Sequence, residues 1–136
     1  MAKKRIWIPS PPKAKKTKIT DAQKNVVTIF FEPLVSQFKK ELQKVKPNKN
    51  FNYVVDIYTK WYQNYFYFCE KYKSESENRI ADEFETKFVR LEFISENNFN
   101  FSYFRHTGQW HLVTENSTLE DCLEMIISNP NFRPMF

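Results

Sequence analysis

FETKFVRLEFISENNFNFSYF, residues 84–104, decides the fold. Val89, Leu91 and Phe93 alternate with Arg90 and Glu92, and Phe99, Phe101 and Tyr103 alternate with Asn100 and Ser102. A period of two with β-branched and aromatic residues marks strands that bury one face. Ser95-Glu96-Asn97 is a three-residue connection, with Asn97 suited to a left-handed backbone. It pairs Phe93 with Phe99 and Leu91 with Phe101. A slip of one residue would turn every apolar side chain to the other face, so the register is tightly specified.

Working outward, residues 51–73 carry ten aromatic residues, from Phe51 and Tyr53 to Phe68 and Tyr72. Val55, Ile57, Thr59 and Trp61 alternate with Asp56, Tyr58, Lys60 and Tyr62, as on a strand. Gln63-Asn64 would be the tip of a hairpin into Tyr65–Lys73. Asp56, Lys60, Gln63 and Glu70 also fit a helical period, but the residue types favour strands. On the other side, Arg105-His106-Thr107-Gly108-Gln109-Trp110 holds the only glycine of the chain, where a hairpin needs a positive φ. Two registers remain open. A two-residue turn at Thr107-Gly108 puts His106, Gln109 and His111 on one face. A three-residue turn ending at Gly108 aligns His111 with Tyr103. A last strand runs from Gln109 to about Thr114.

Helices flank this pattern. Thr20 is a good N-cap, with Asp21 in the first turn and Gln23 completing a capping box. Val27, Phe31, Leu34, Phe38, Leu42 and Val45 form one apolar stripe that keeps its phase across Pro33, which predicts a kink within one long element. Ser117 or Thr118 caps a closing helix that buries Leu119, Cys122, Leu123, Met125, Ile126 and Ile127 and stops at Asn129-Pro130. The expected fold is α+β: a long N-terminal helix, an antiparallel meander of about five strands and a C-terminal helix, with both helices on one face of a twisted sheet.

Charge divides the chain differently. Lys3, Lys4, Arg5, Lys13, Lys15, Lys16 and Lys18 fall in the first nineteen residues with no acidic residue among them. The formal net charge of +5 is therefore a leader of +7 on a body of −2. Pro9, Pro11 and Pro12 force an extended path and forbid a helix there. Residues 1–19 read as a basic, extended arm and 20–136 as one domain. Trp7, between Ile6 and Ile8, is the arm's natural anchor on a partner. The Pro9-x-x-Pro12 spacing also matches a polyproline ligand, a pattern that arises readily by chance.

Several function classes are disfavoured. One glycine cannot build a phosphate loop, a dinucleotide fingerprint or a nucleophile elbow. Cys69 and Cys122 are too few for a disulfide framework and fit a reducing, cytoplasmic setting. Asn116-Ser117-Thr118 is a glycosylation sequon that such a setting would leave unused. No apolar run approaches the ~20 residues of a membrane span, and the N-terminus lacks a secretory apolar core. His106 and His111 flank one hairpin without an evident third metal ligand, so neither a metal nor another cofactor is expected. The abundance of Lys, Asn and Phe suggests a bacterial source.

The phrases FNYVVDIYTKWYQNYFYFC, FETKFVRLEF and YFRHTGQW, within residues 51–69 and 84–110, resemble a family of small bacterial proteins without an assigned activity. The resemblance implies one compact domain and carries no catalytic residues. The residues themselves point to a non-enzymatic protein that engages nucleic acid or a nucleoprotein. The arm would meet phosphates, while Arg105, His106 and Trp110 at a loop tip would stack on bases, together with whichever of Tyr58, Tyr62, Tyr65 and Tyr67 face outward. Two alternatives stand beside this: a protein–protein module (adaptor, inhibitor or toxin-like) docking an acidic protein surface through the arm and Trp7, and a small-ligand or enzymatic pocket between helices and sheet.

Overall fold

The computed structural model describes residues 17–75, 77 and 82–136. Helix α1 (Asp21–Gln43) precedes five strands: β1 (Tyr53–Tyr62), β2 (Tyr65–Lys73), β3 (Glu83–Ser95), β4 (Asn98–Phe104) and β5 (Trp110–Ser117). Helix α2 (Leu119–Ser128) and a 3-10 turn at Pro130–Phe132 follow. The strands form one antiparallel sheet in chain order, so the α+β architecture is the one expected. Residues 53–73 resolve as two strands with Gln63-Asn64 at the tip, and Gln63 takes φ 52°.

Local chemistry explains the helix limits. Both helices start with a capping box, Thr20 with Gln23 and Thr118 with Asp121. Each box satisfies backbone N–H groups that the first turn would otherwise leave unpaired. Pro33 lies inside α1, which is continuous across it. Proline cannot donate to the carbonyl of Ile29, but Ile29 is 62% exposed, so water can take the lost bond. The buried stripe of α1 is Val27, Phe31, Leu34 and Phe38; Val45 falls beyond the helix and is exposed. In α2, Leu119, Cys122 and Ile126 are buried while Ile127 faces solvent.

The core fills the space between helices and sheet. Phe31 of α1 lies 5.7 Å from Phe66 and 5.2 Å from Phe68, both on β2. Phe132, just after α2, meets Phe101 at 5.1 Å and Tyr103 at 5.0 Å. Phe66 and Phe101 both pair with Leu91 across the sheet, so the two helical segments cover the same face. Phe93 pairs with Phe99 and Leu91 with Phe101, as the alternation requires. Tyr103 pairs with His111, which selects the turn that ends at Gly108 (φ 84°).

Irregularities in the pairing set what the opposite, helix-free face displays. Between Phe68 and Cys69 of β2 the register with β3 shifts at Phe88. Phe88 and Val89 are consequently both buried. The bulge restores Lys87 to the face that carries Arg90, three residues away, which regular alternation would not allow.

Candidate functional site

Odd-numbered residues of β2 turn away from the helices. Tyr65 and Tyr67 stack at 5.9 Å, Tyr67 meets Trp110 of β5 at 5.8 Å, and Trp110 meets Phe104 of β4 at 5.2 Å. These four rings run across the helix-free face, from β2 to the β4–β5 hairpin. Tyr65, Tyr67 and Trp110 are half-buried and Phe104 is 42% exposed. Tyr62, at the end of β1, is 62% exposed.

Cations sit on this row. The Arg90 guanidinium lies 4.8 Å from the Tyr65 ring and 4.6 Å from the Trp110 ring. Lys87 lies 5.5 Å from the Tyr67 ring and pairs with Glu85 at 3.1 Å. Glu85 also pairs with Lys60 at 2.7 Å and accepts the Tyr58 hydroxyl. Burial alone would raise the Glu85 pKa, but hydrogen bonds from Lys60, Tyr58 and Lys87 outweigh it and hold the carboxyl at about 2. The same carboxylate, added to desolvation, drives the Tyr58 phenol well above its ordinary range. Glu85 therefore neutralises the Lys60 side of the face, whereas no described carboxylate pairs with Arg90.

The chain enters the domain at one end of this row. Asn64 Nδ2 donates to the Thr17 carbonyl at 2.9 Å, and Ile19 N–H donates to Asn64 Oδ1 at 3.1 Å. Ile19 itself is buried in the core. Lys18, exposed between them, lines one cleft with Lys24, Tyr65 and Glu92. Lys3, Lys4, Arg5, Trp7, Lys13, Lys15 and Lys16 lie outside the described residues.

The expected loop-tip trio does not come together. Trp110 joins the ring row, but Arg105 donates its Nε to the Tyr103 hydroxyl at 3.1 Å, on the helix-covered side. His106 is exposed in the turn, and His111 packs 5.6 Å from Tyr103. The reason is alternation: Phe104 and Trp110 are direct partners, so Arg105 and Tyr103 belong elsewhere. Among the described residues no cluster of three His, Cys, Asp or Glu could hold a metal. Burial raises the Cys69 and Cys122 thiols to about 12, which leaves both without nucleophilic thiolate at neutral pH. Arg90 was the residue missed. Its pairing with Tyr67 was the available signal, but that required the β2–β3 register.

The ring row, its cations and the anchor at Asn64 make a surface able to stack planar groups and hold anions. Comparison with protein families places it. The chain belongs to the DUF3024 family, a domain of unknown function, matched over residues 31–134. The sequence resemblance to a family without assigned activity is therefore borne out. Tyr65, Tyr67, Arg90, Phe104 and Trp110 lie inside the matched span, and the basic leader and the first part of α1 precede it. Searches of curated proteins and of solved structures found no match. No described helix is long and apolar enough to cross a membrane.

Proposed function

We propose that this DUF3024 protein is a non-enzymatic, cytoplasmic binder of single-stranded nucleic acid, using the helix-free sheet face as a platform and the basic leader as an electrostatic arm. The observation that carries this reading is continuity. Lys18, the last cation of the leader, and Tyr65, the first ring of the row, line the same cleft. A strand following the row would therefore stay within reach of the leader's positive charge.

Chemistry favours a single strand over a duplex. Stacking needs bases with one face free of a stacked neighbour, as a single strand offers, and it supplies about 1–3 kcal/mol per base without choosing a sequence. Tyr62 and Phe104 have the most open faces, while Tyr65 and Trp110 already flank Arg90. The leader adds phosphate contacts through counterion release, which do not discriminate sequence either.

The test is fluorescence anisotropy of a labelled single-stranded oligonucleotide with the full chain across salt concentrations. For about five to seven phosphate contacts, log affinity should fall against log salt with a slope of about −4 to −5. Changing Lys3, Lys4, Lys13, Lys15 and Lys16 together to Gln should flatten that slope. An unchanged slope, or no binding at low salt, would overturn the proposal.

A second reading, docking of a protein partner, rests on a different surface. Val26 and Ile29 of α1 are 61% and 62% exposed, and Val26 borders an apolar groove of about 300 Å³ with Phe30, Phe99 and Leu119. Binding of a protein that survives high salt but fails on Val26→Asp would favour it.

A further inference from the structure

We infer that Arg90 is a receptor for one phosphate group, held by the edge of its guanidinium. The inference rests on the nucleic-acid reading only for the source of that phosphate.

The guanidinium sits against two rings. Tyr65 at 4.8 Å and Trp110 at 4.6 Å flank it. Rings satisfy the charge in part but accept none of its N–H donors. A guanidinium presents five such donors in a planar fork that matches a phosphate oxygen pair. Stacked between rings, Arg90 is also pre-organised, so little rotamer freedom is lost when the fork is filled.

Comparison with its neighbours isolates Arg90. Arg133 is forked onto Glu41 at 3.2 and 3.3 Å. Arg105 is tied to the Tyr103 hydroxyl. Lys60 and Lys87 both converge on Glu85. Arg90 alone in this set has two aromatic neighbours and no described carboxylate or hydroxyl partner, although it is half-buried. No Arg90 nitrogen is buried without a partner, so its free N–H donors face solvent, where a bound anion can reach them. Ser102 lies directly opposite Arg90 on β4 and is buried.

The charges beside Arg90 on β3 are Glu92, whose carboxylate accepts from Asn100 Nδ2 at 3.5 Å, and the Glu85 cluster. Glu92 stands two residues along β3 and lowers the local potential, which limits Arg90 to one phosphate of a strand. Phosphate is favoured over carboxylate by the cleft beyond Tyr65, where Lys18 and Lys24 would meet the next phosphate of a strand.

The test is NMR of the side-chain Nε–Hε groups of arginine in the full chain, with Arg90→Lys assigning the Arg90 signal. Inorganic phosphate, adenosine 5′-monophosphate, adenosine, acetate and a 5′-hydroxyl oligonucleotide are titrated separately. Saturable movement with phosphate and the monophosphate, and none with adenosine or acetate, is the expected result. Movement with the oligonucleotide alone would support the site and identify an internal diester as its source. Movement with acetate but not phosphate would overturn phosphate as the ligand, and no movement with any would overturn the site. Arg90→Lys keeps the charge and loses the fork, so oligonucleotide affinity should fall about tenfold at unchanged urea midpoint. Oligonucleotide binding by anisotropy without movement at Arg90 would sink this inference and leave the proposed function standing. Movement with phosphate but no oligonucleotide binding would do the reverse.

Discussion

Asn64 holds Ile19 in place. Its Oδ1 accepts the Ile19 N–H at 3.1 Å while its Nδ2 donates to the Thr17 carbonyl at 2.9 Å, so one side chain bridges the backbone on both sides of Lys18. The Asn64 carbonyl meanwhile accepts the Phe93 N–H at 2.8 Å. A hairpin tip thus fixes where the leader departs relative to the ring row.

Removing that side chain should be felt at both ends of the bridge. Asn64→Ala leaves the Ile19 N–H without its acceptor beside a buried residue, at a cost of about 1–3 kcal/mol. Urea unfolding should show a lower midpoint at constant slope, and the Ile19 amide should exchange its proton faster than in the parent. A variant as stable as the parent, with Ile19 equally protected, would show that the burial of Ile19 alone anchors the leader.

Much of this frame was legible in the sequence. Phe93 against Phe99 and Leu91 against Phe101 could be read because a one-residue slip exposes the core face and the three-residue turn sets the rest. Thr20 and Thr118 declared their helices through spacings of three residues. The site was less legible, because it depends on events that no local pattern encodes. The bulge at Phe88 returns Lys87 to the face of Arg90, and Trp110, distant in sequence, packs against Arg90 and Tyr67. Arg105 reads together with Trp110 because both belong to one short turn, whereas Arg90 stands out only as a polar residue of an alternating strand. Only pairing in the sheet assigns the two arginines to opposite faces.

Glu85 should make the protein sensitive to acid. Its folded pKa, about 2, is depressed below its ordinary 4.5, so its stabilising contribution is complete above about pH 4.5 and is lost as pH falls towards 2. With the side chain 24% exposed, solvent screening reduces the contribution to the order of 2 kcal/mol. Urea midpoints of the parent and Glu85→Gln, measured from pH 6 to pH 2, should therefore converge at the acid end. Curves that stay parallel across this range would mean that Glu85 is not held by Lys60, Lys87 and Tyr58 in solution.

Glu70 should act with the opposite sign. It is 1% exposed on the helix-covered face, and burial raises its pKa although the Met135 N–H (3.1 Å) and the Tyr72 hydroxyl (3.3 Å) both donate to it. A carboxyl whose folded pKa is raised favours folding below its unfolded value and loses that contribution as pH rises through the folded one. Above that point the chain carries a buried charge with two neutral donors and no cation. Glu70→Gln keeps an acceptor for Met135 and removes the charge, so it should be at least as stable as the parent at pH 7. The advantage should shrink as pH falls and the native carboxyl becomes neutral, which is the reverse of the Glu85→Gln series. If Glu70→Gln is instead less stable at pH 7 and gains nothing relative to the parent on acidification, the carboxylate is stabilised in place. The hold on the C-terminal residues Met135 and Phe136 would then be charge-assisted and not a neutral hydrogen bond.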